Sequence, residues 1–237
     1  MQSSSSKSAS VLYFEKEGRE NLPQVIKVLK RTFKRRSELR SLPLIIFTAT
    51  GEGPARAYSQ LNEYDPTIIA VTFAPDFSVK RGDETYTPRI SEKLNAFFEG
   101  VGITVLTGRL PFDPIDGVEG HNSSTKIVTD TLTLFGGGFA LAVAAVLSAC
   151  DAGYVNIGDQ VVALTADTLS IMTASTTRKF LTKTQGLTIN EILCKPRTLT
   201  VSRTNTQPNP TLPLFSERSL KKVIDVKAIA YRNPPRE

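Results

Sequence analysis

Two threonines, two glycines and a proline follow a short apolar run, and this order of residue types can hold a phosphate group. The run Leu44–Phe47 has four consecutive large apolar residues, the pattern of a strand buried on both faces of a parallel sheet. The glycines let backbone N–H groups point into one concavity, and Pro54 fits the first turn of a helix. Unpaired amides and the positive dipole end of that helix would then face an anion. We therefore predict a phosphate site formed by Thr48, Thr50, Gly51, Glu52, Gly53 and the amide of Ala55.

This loop also has a plainer interpretation, as an ordinary turn between a strand and a helix. Its Gly-x-Gly lacks the third glycine of the dinucleotide fingerprint, and no Gly-Lys-Ser/Thr of a P-loop follows. An acidic residue also stands in the loop, so the Glu52 carboxylate must point outward if an anion is to bind.

The composition limits the classes of protein to consider. With 237 residues, 40% hydrophobic and 22% charged, the chain is long enough for one large or two small globular domains. Cys150 and Cys194 lack a CxxC partner and His121 is the single histidine, which argues against a metal site and a Ser-His-Asp triad. The longest apolar run, 139–150, is well short of the roughly 20 residues that cross a bilayer. We expect a soluble cytoplasmic protein with free thiols and no membrane partner.

The net charge of +6 comes partly from a basic cluster in one predicted helix and partly from the last third of the chain. A solvated helix face explains the cluster more simply than nucleic acid does, because no aromatic residues are interleaved with the charges for base stacking. We therefore expect no nucleic-acid partner. The cluster consists of Lys27, Lys30, Arg31, Lys34, Arg35, Arg36 and Arg40.

Strands and helices alternate in the first half of the chain. Apolar, β-branched runs predict strands, and the helix between the first two carries Leu22, Val25, Ile26, Leu29 and Phe33 on one face, with Asn21 as its cap. Connections of this length imply parallel strands. The four predicted strands are 11–14, 44–48, 67–73 and 102–107.

Two long polar loops, 74–87 and 108–124, follow the third and fourth strands and could border a site. A helix is predicted to open at Pro88 between them. The glycines at 136–138 predict a helix break that allows close packing before a buried Ala-rich helix at 140–152. Later strands are predicted at 161–164, 169–172 and 189–194.

The ends of the chain differ in composition from its middle. Residues 1–10 are serine-rich and predict a disordered tail, whereas 11–198 form the predicted α/β domain. The extension 199–237 contains a linker-like segment at 203–213 and a short helical pattern at 216–224.

Two segments, Leu44-Ile-Ile-Phe-Thr-Ala-Thr-Gly51 and Pro66-Thr-Ile-Ile-Ala-Val-Thr72, resemble the C-terminal domain of pyruvate kinase. In that domain a strand ending in a Thr/Ser-Gly loop binds the phosphate of an allosteric activator. The chain shows none of the catalytic motifs of pyruvate kinase and has no room for its barrel. The resemblance thus implies a fold and a phosphate loop, not the kinase activity.

A longer match is to stand-alone pyruvate-kinase-C-terminal-like proteins of the archaeal type. Tyr13-Phe14-Glu15-Lys16-Glu17-Gly18-Arg19-Glu20-Asn21 is similar to their opening, and the later similar segments are Leu134 to Gly138, Ala166-Asp167-Thr168 and Glu191 to Arg197. The resemblance covers roughly residues 11–198. It implies an α/β fold, a three-layer α/β/α (Rossmann-like) domain with a mostly parallel sheet, and bound flavin mononucleotide (FMN).

The chain departs from the archaeal pattern at three places. The turn before Ala166 is shortened, residues 120–124 lack an arginine, and a His-Met-Asn-Asn stretch near Phe180 is absent. These differences bear on contacts to the flavin ring more than on the phosphate loop.

The leading hypothesis is therefore a protein that binds FMN or a similar phosphorylated aromatic ligand. The alternatives are a flavin-dependent oxidoreductase and a regulatory module that binds a sugar phosphate. Residues at the ends of two predicted strands are expected to line the ring or the ribityl chain of the ligand. Two residues that follow the first strand are expected at the same edge of the sheet. The sequence leaves a homo-oligomer open. The predicted ring-side set is Thr72, Phe73, Thr107, Gly108 and Arg109, with Arg19 and Asn21 as the two edge residues.

Overall fold

A computed structural model describes residues 10–81, 84–113 and 124–199 of the chain. The predictions for residues 1–9, 203–213 and 216–224, and for His121, fall outside these ranges. The helices and strands are β1 (Leu12–Lys16), α1 (Leu22–Arg35), β2 (Leu44–Phe47), α2 (Glu52–Leu61), β3 (Ile68–Thr72), β4 (Val79–Arg81), β5 (Glu84–Tyr86), α3 (Glu92–Gly100), β6 (Thr104–Thr107), α4 (Ser124–Thr133), α5 (Gly137–Asp151), β7 (Gln160–Leu164), β8 (Leu169–Thr173) and β9 (Thr188–Thr198).

Seven strands form one sheet in the order β1-β9-β8-β7-β2-β3-β6. Every neighbouring pair is parallel except the two pairs that involve β8, which runs antiparallel to β7 and β9. The prediction of a mixed α/β fold with a mostly parallel sheet is therefore confirmed. All residues of β2 and β3 are buried, as expected for apolar strands in the middle of a sheet covered on both faces.

Helices pack on both faces of this sheet. Side chains of α1, α2 and α3 share one apolar cluster with Leu44, Ile46 and Ala70, whereas α5 packs with Ile45 and Val71 on the opposite face. Alternate residues of a strand point to opposite faces, so each central strand contributes to both clusters. The five residues predicted for the apolar face of α1 are all buried.

The connections that leave β3 and β6 pass over opposite faces of the sheet. The first runs through α3 to the neighbouring strand, and the second returns through α5 to β7, on the far side of β2. In α/β sheets this arrangement opens a crevice at the carboxyl ends of the two strands. The fold thus provides a place for a ligand between the ends of β3 and β6.

Three sequence predictions about local structure are wrong. The loop predicted at 74–87 contains an antiparallel hairpin of β4 and β5. The third helix begins at Glu92 rather than Pro88, because the Ser91 hydroxyl accepts a hydrogen bond from the Leu94 amide and caps it. Asn21 precedes α1 without a side-chain cap bond, and its Nδ2 donates instead to the Lys16 carbonyl at 2.8 Å.

The predicted helix break at the glycines is confirmed. Gly136 has a φ of 121° and stands at the start of α5, and an added Cβ on Gly138 would lie 2.0 Å from Asp167 Oδ1. Close approach of α5 to the turn between β7 and β8 therefore requires glycine at position 138. None of the helices in the described ranges is long and apolar enough to cross a membrane.

Candidate functional site

Polar residues end three neighbouring strands at the carboxyl edge of the sheet. Thr48 follows β2 and donates its amide to the Val71 carbonyl at 2.9 Å, and Thr72 pairs in register with Thr107. The Gly108 amide in turn donates to the Thr72 carbonyl at 3.4 Å. Residues predicted from strand ends are thus close together in space.

A cleft of about 800 Å³ opens beside the ends of β3 and β6. Its volume lies within the range of roughly 300–1,000 Å³ that small organic ligands occupy. The predicted residues Thr72, Phe73 and Thr107 line it, together with the first turn of α3. The segment before and within that turn contributes Pro88, Arg89, Ile90, Ser91, Glu92, Lys93 and Asn95.

Thr72 is 3% exposed, and its hydroxyl has no hydrogen-bond partner in the part of the chain that the structure describes. A buried hydroxyl without a partner costs free energy, and such groups in native proteins call for a specific explanation. Thr72 is one of the residues that line the cleft, so a polar atom of a bound ligand is a candidate partner for its hydroxyl.

Aromatic rings pack around Phe73, the residue that follows Thr72. Phe73 and Phe77 lie parallel, with centroids 4.0 Å apart and planes 9° apart, and Phe47 meets Phe73 edge to face at 4.9 Å. Phe73 and Phe77 are both partly exposed. Of these three rings, Phe73 lines the cleft and also packs with the apolar cluster on the α5 face, whereas Phe47 and Phe77 do not line the cleft. The cleft therefore offers one aromatic residue to a flat ligand ring.

The two other residues predicted on the ring side lie elsewhere. Gly108 and Arg109 line a second cleft of about 450 Å³ with Leu106, Ser148 and Asp151, on the face that α5 covers. Arg109 donates to the Asp113 carbonyl at 2.6 Å. The predicted ring-side residues are therefore divided between two clefts on opposite faces of the sheet.

The loop after β2 closes on itself. The Gly51 amide donates to Thr48 Oγ1 at 2.9 Å, and the Ala55 amide donates to the Gly51 carbonyl at 3.2 Å. Gly51 has a φ of 86°, and Leu94 and Phe98 of α3 pack against its Cα. Two of the amides predicted to face an anion are thus used within the loop.

Glu52, the first residue of α2, is 7% exposed, so the outward-pointing carboxylate that an anion in this loop would require is not found. Arg19 Nε donates to one carboxylate oxygen, and Arg56 Nε donates to the other at 2.8 Å. The carboxylate occupies the positive end of the helix and pairs with two guanidinium groups, which stabilises it there. Arg19 therefore forms an ion pair that links the segment between β1 and α1 to the start of α2.

A second group of buried carboxylates, Glu17 and Asp167, lies at the same carboxyl edge of the sheet. No functional role was predicted for these two residues. Glu17 accepts a hydrogen bond from the Gly137 amide at 3.0 Å, and Asp167 accepts one from the Gly18 amide at 3.1 Å. Burial raises the pKa of Asp167 to about 6, and the nearby Glu17 carboxylate adds to the rise. These contacts join β1, the turn after β7 and the start of α5. The only signal in the sequence was the Ala-Asp-Thr segment.

Comparison with known sequences returned no match: no protein-family model fits the chain, and no curated protein is recognisably similar to it. The fold places the chain in the class of α/β proteins, with a seven-stranded, mostly parallel sheet. Within residues 10–81, 84–113 and 124–199, no group of three or more His, Cys, Asp or Glu could hold a metal ion.

Proposed function

We propose that this chain binds FMN, or a similar phosphorylated aromatic ligand, in the cleft at the carboxyl ends of β3 and β6. The observation that carries the proposal is that Thr72, which lines a ligand-sized cleft, has a buried hydroxyl without a partner among the described residues. Phe73, which lines the cleft, supports an aromatic ligand, because a flat ring can pack against an aromatic side chain. The place of the cleft, at strand ends whose connections diverge, supports a bound nucleotide-like molecule.

The first turn of α3 is the best-supported position for the phosphate. Arg89 and Lys93 line the cleft there, and a helix start presents backbone amides to an anion. The predicted loop at the start of α2 is the competing position. The Gly51 and Ala55 amides are used within that loop, and the Glu52 carboxylate with its two guanidinium partners already occupies the helix start.

FMN should bind to the purified full-length chain with a dissociation constant in the micromolar range or below, because stacking and a charge-assisted phosphate contact act together. Flavin fluorescence titration measures the constant, and a thermal-shift series with FMN, riboflavin and fructose bisphosphate tests the ligand class. A shift with fructose bisphosphate alone would support the sugar-phosphate module instead. Absence of any flavin binding would refute the proposal.

Thr72→Val is expected to weaken FMN binding about five- to tenfold, because the ligand would lose one hydrogen bond of about 1 kcal/mol. The free protein should keep or gain stability, since valine replaces an unpartnered buried hydroxyl. Ser170→Ala is the matched control: Ser170 on β8 also has a buried hydroxyl without a partner among the described residues, and it lies outside the cleft. Equal FMN affinity of the two variants would contradict a role for Thr72.

The phosphate position is tested by comparing FMN with riboflavin, which lacks the phosphate. Replacing Arg89 and Lys93 together by glutamine should weaken FMN binding about tenfold or more and leave riboflavin affinity nearly unchanged, because two charged contacts are lost. Thr50→Asp should then have little effect. The opposite pattern, in which Thr50→Asp alone abolishes FMN binding, would place the phosphate in the loop before α2.

A further inference from the structure

The positive charge of this chain is concentrated in two segments. Residues 27–40 contain seven basic residues and one acidic residue, and residues 201–237 contain seven basic and three acidic ones. The rest of the chain has fifteen basic and nineteen acidic residues, so it is net negative although the whole chain carries +6. Such asymmetry indicates a localised anionic partner rather than a general solubility requirement.

The first of these segments forms an exposed basic face on α1. Lys27, Lys30, Arg31, Lys34 and Arg35 are all exposed, opposite the buried apolar side of the helix. The spacing of 27, 31 and 35 places three of them in one row, and 30 and 34 form a second row alongside. From Lys27 to Arg35 the face extends about 12 Å along the helix. We call these five residues the α1 basic face.

The α1 basic face lies apart from the ligand cleft. Helix α1 starts after β1, at the carboxyl edge of the sheet, and leads to the beginning of β2 at the opposite edge. Four of the five basic residues lie in the second half of the helix, toward that opposite edge, and Lys27 lies just before it. A partner on this face would therefore leave the cleft at β3 and β6 accessible.

Acidic side chains neutralise little of this face. Lys30 pairs with Glu63 at 2.8 Å, but none of the ion pairs within the described ranges involves Lys27, Arg31, Lys34 or Arg35. Like charges four residues apart, as in both rows, destabilise a helix. The helix dipole explains cations in the last turn, at Lys34 and Arg35, but not the others. Folding alone thus gives no reason for the arrangement.

The surface beside the helix is grooved on both sides. One open cleft of about 510 Å³ is lined by Lys27, Lys30, Arg31 and Lys34 with Glu63 and Tyr64. A smaller one of about 210 Å³, on the other side, contains Arg31 and Arg35. The helix is therefore a cationic ridge between two shallow grooves, and its charges can approach a partner from both sides.

We propose that the α1 basic face binds the phosphate backbone of a double-stranded nucleic acid without base-sequence preference. The basic cluster has no interleaved aromatic residues, so it is not suited to binding single-stranded bases by stacking. Binding to a duplex backbone needs no stacking, only cations placed against successive phosphates. A basic helix in a chain with an isoelectric point of about 9.3 has the electrostatic pattern of such proteins.

The test uses the full-length chain and a fluorescein-labelled 20-base-pair DNA duplex, with binding measured by fluorescence anisotropy over a range of salt concentrations. In the test variant Lys27, Arg31 and Lys34 are replaced by glutamine, which keeps helix propensity and breaks no ion pair among the described residues. The matched control replaces Lys16, Arg178 and Lys183 by glutamine, and so removes the same charge from exposed positions elsewhere.

The test variant should bind the duplex at least about tenfold more weakly than the wild type, and its plot of log affinity against log salt should be shallower by about 2–3. The control should stay within about threefold of the wild type. Equal losses in both variants, or no loss in the test variant, would overturn the proposal. Tighter binding of the wild type to vesicles containing phosphatidylserine than to the duplex would also overturn it, in favour of a membrane surface.

Discussion

Replacing Gly138 by alanine is expected to lower the free energy of unfolding by about 2–3 kcal/mol, although alanine is the better helix former. An added Cβ would lie 2.0 Å from Asp167 Oδ1 and 2.8 Å from Thr165 Oγ1. Asp167 cannot turn away cheaply, because its carboxylate is 5% exposed and accepts hydrogen bonds from the Gly18 amide and the Thr168 hydroxyl. The alanine must therefore either displace α5 or break these bonds.

Urea unfolding of the variant and the wild type measures this effect. Gly100→Ala is the matched control, since nothing lies within 4 Å of a Cβ at that position, near the end of α3. Its free energy of unfolding should be unchanged or raised by up to about 1 kcal/mol. Similar stabilities of the two alanine variants would show that α5 does not depend on close contact with Asp167.

The strands and the buried side of α1 could be predicted because their signals are local. Four apolar residues at Leu44–Phe47 and the helical spacing from Leu22 to Phe33 indicate their structure within one short window. The hairpin of β4 and β5 gave no such signal. Each of its strands has three residues and is mostly polar, so neither alternation nor apolar content distinguishes it from a loop.

The candidate site was predictable only where the fold class itself brings residues together. Thr72, Phe73 and Thr107 end neighbouring parallel strands, and such ends share one edge of the sheet. Gly108 and Arg109 directly follow β6, but the chain there turns to the face that α5 covers. Which face a loop takes depends on the next helix, and that information is not in the residues of the loop.

The loop before α2 shows that a local motif alone does not predict a binding site. Its glycines and threonines favoured an anion site, yet Arg19, which pairs with the buried carboxylate of Glu52, is 33 residues away in the chain. Leu94, which packs against Gly51, comes from α3, the second α-helix after the loop. Contacts between distant segments decide whether such a loop is open, and a short motif carries no information about them.

The contacts of Glu17 with Gly137 and of Asp167 with Gly18 could not be predicted from local sequence either, although the Ala-Asp-Thr segment marked Asp167. Gly18 and Asp167, which share a hydrogen bond, are 149 residues apart. From the sequence alone, the carboxylates of Glu17 and Asp167 would each be expected on the surface. Only the sheet order, which places β9 beside β1 and β8 beside β9, brings the two ends of the domain together. These carboxylates are therefore buried because of contacts between segments that are far apart in the sequence.

Asp167→Asn is expected to raise the stability of the protein at pH 7 by up to about 3 kcal/mol and to remove a pH dependence between about pH 4 and pH 6. Burial raises the pKa of Asp167 from 3.8 to about 6 in the folded chain, with hydrogen bonds from Gly18 and Thr168 opposing the rise. An asparagine carbonyl can still accept the bond from the Gly18 amide, and the side-chain amide, in the place of Oδ1, can donate to the hydroxyl oxygens of Thr165 and Thr168.

The sign follows from proton binding. Between about pH 4 and pH 6 the folded chain holds a proton on Asp167 that the unfolded chain releases, so the wild type loses stability as the pH rises through this window. Below pH 4 the group is protonated in both states, and the two proteins should unfold at similar urea concentrations. Unfolding curves at pH 4, 5, 6 and 7 should therefore diverge with rising pH. A constant difference at all four values would mean that Asp167 acts through packing and not through its charge, because packing does not change when the carboxylate ionises.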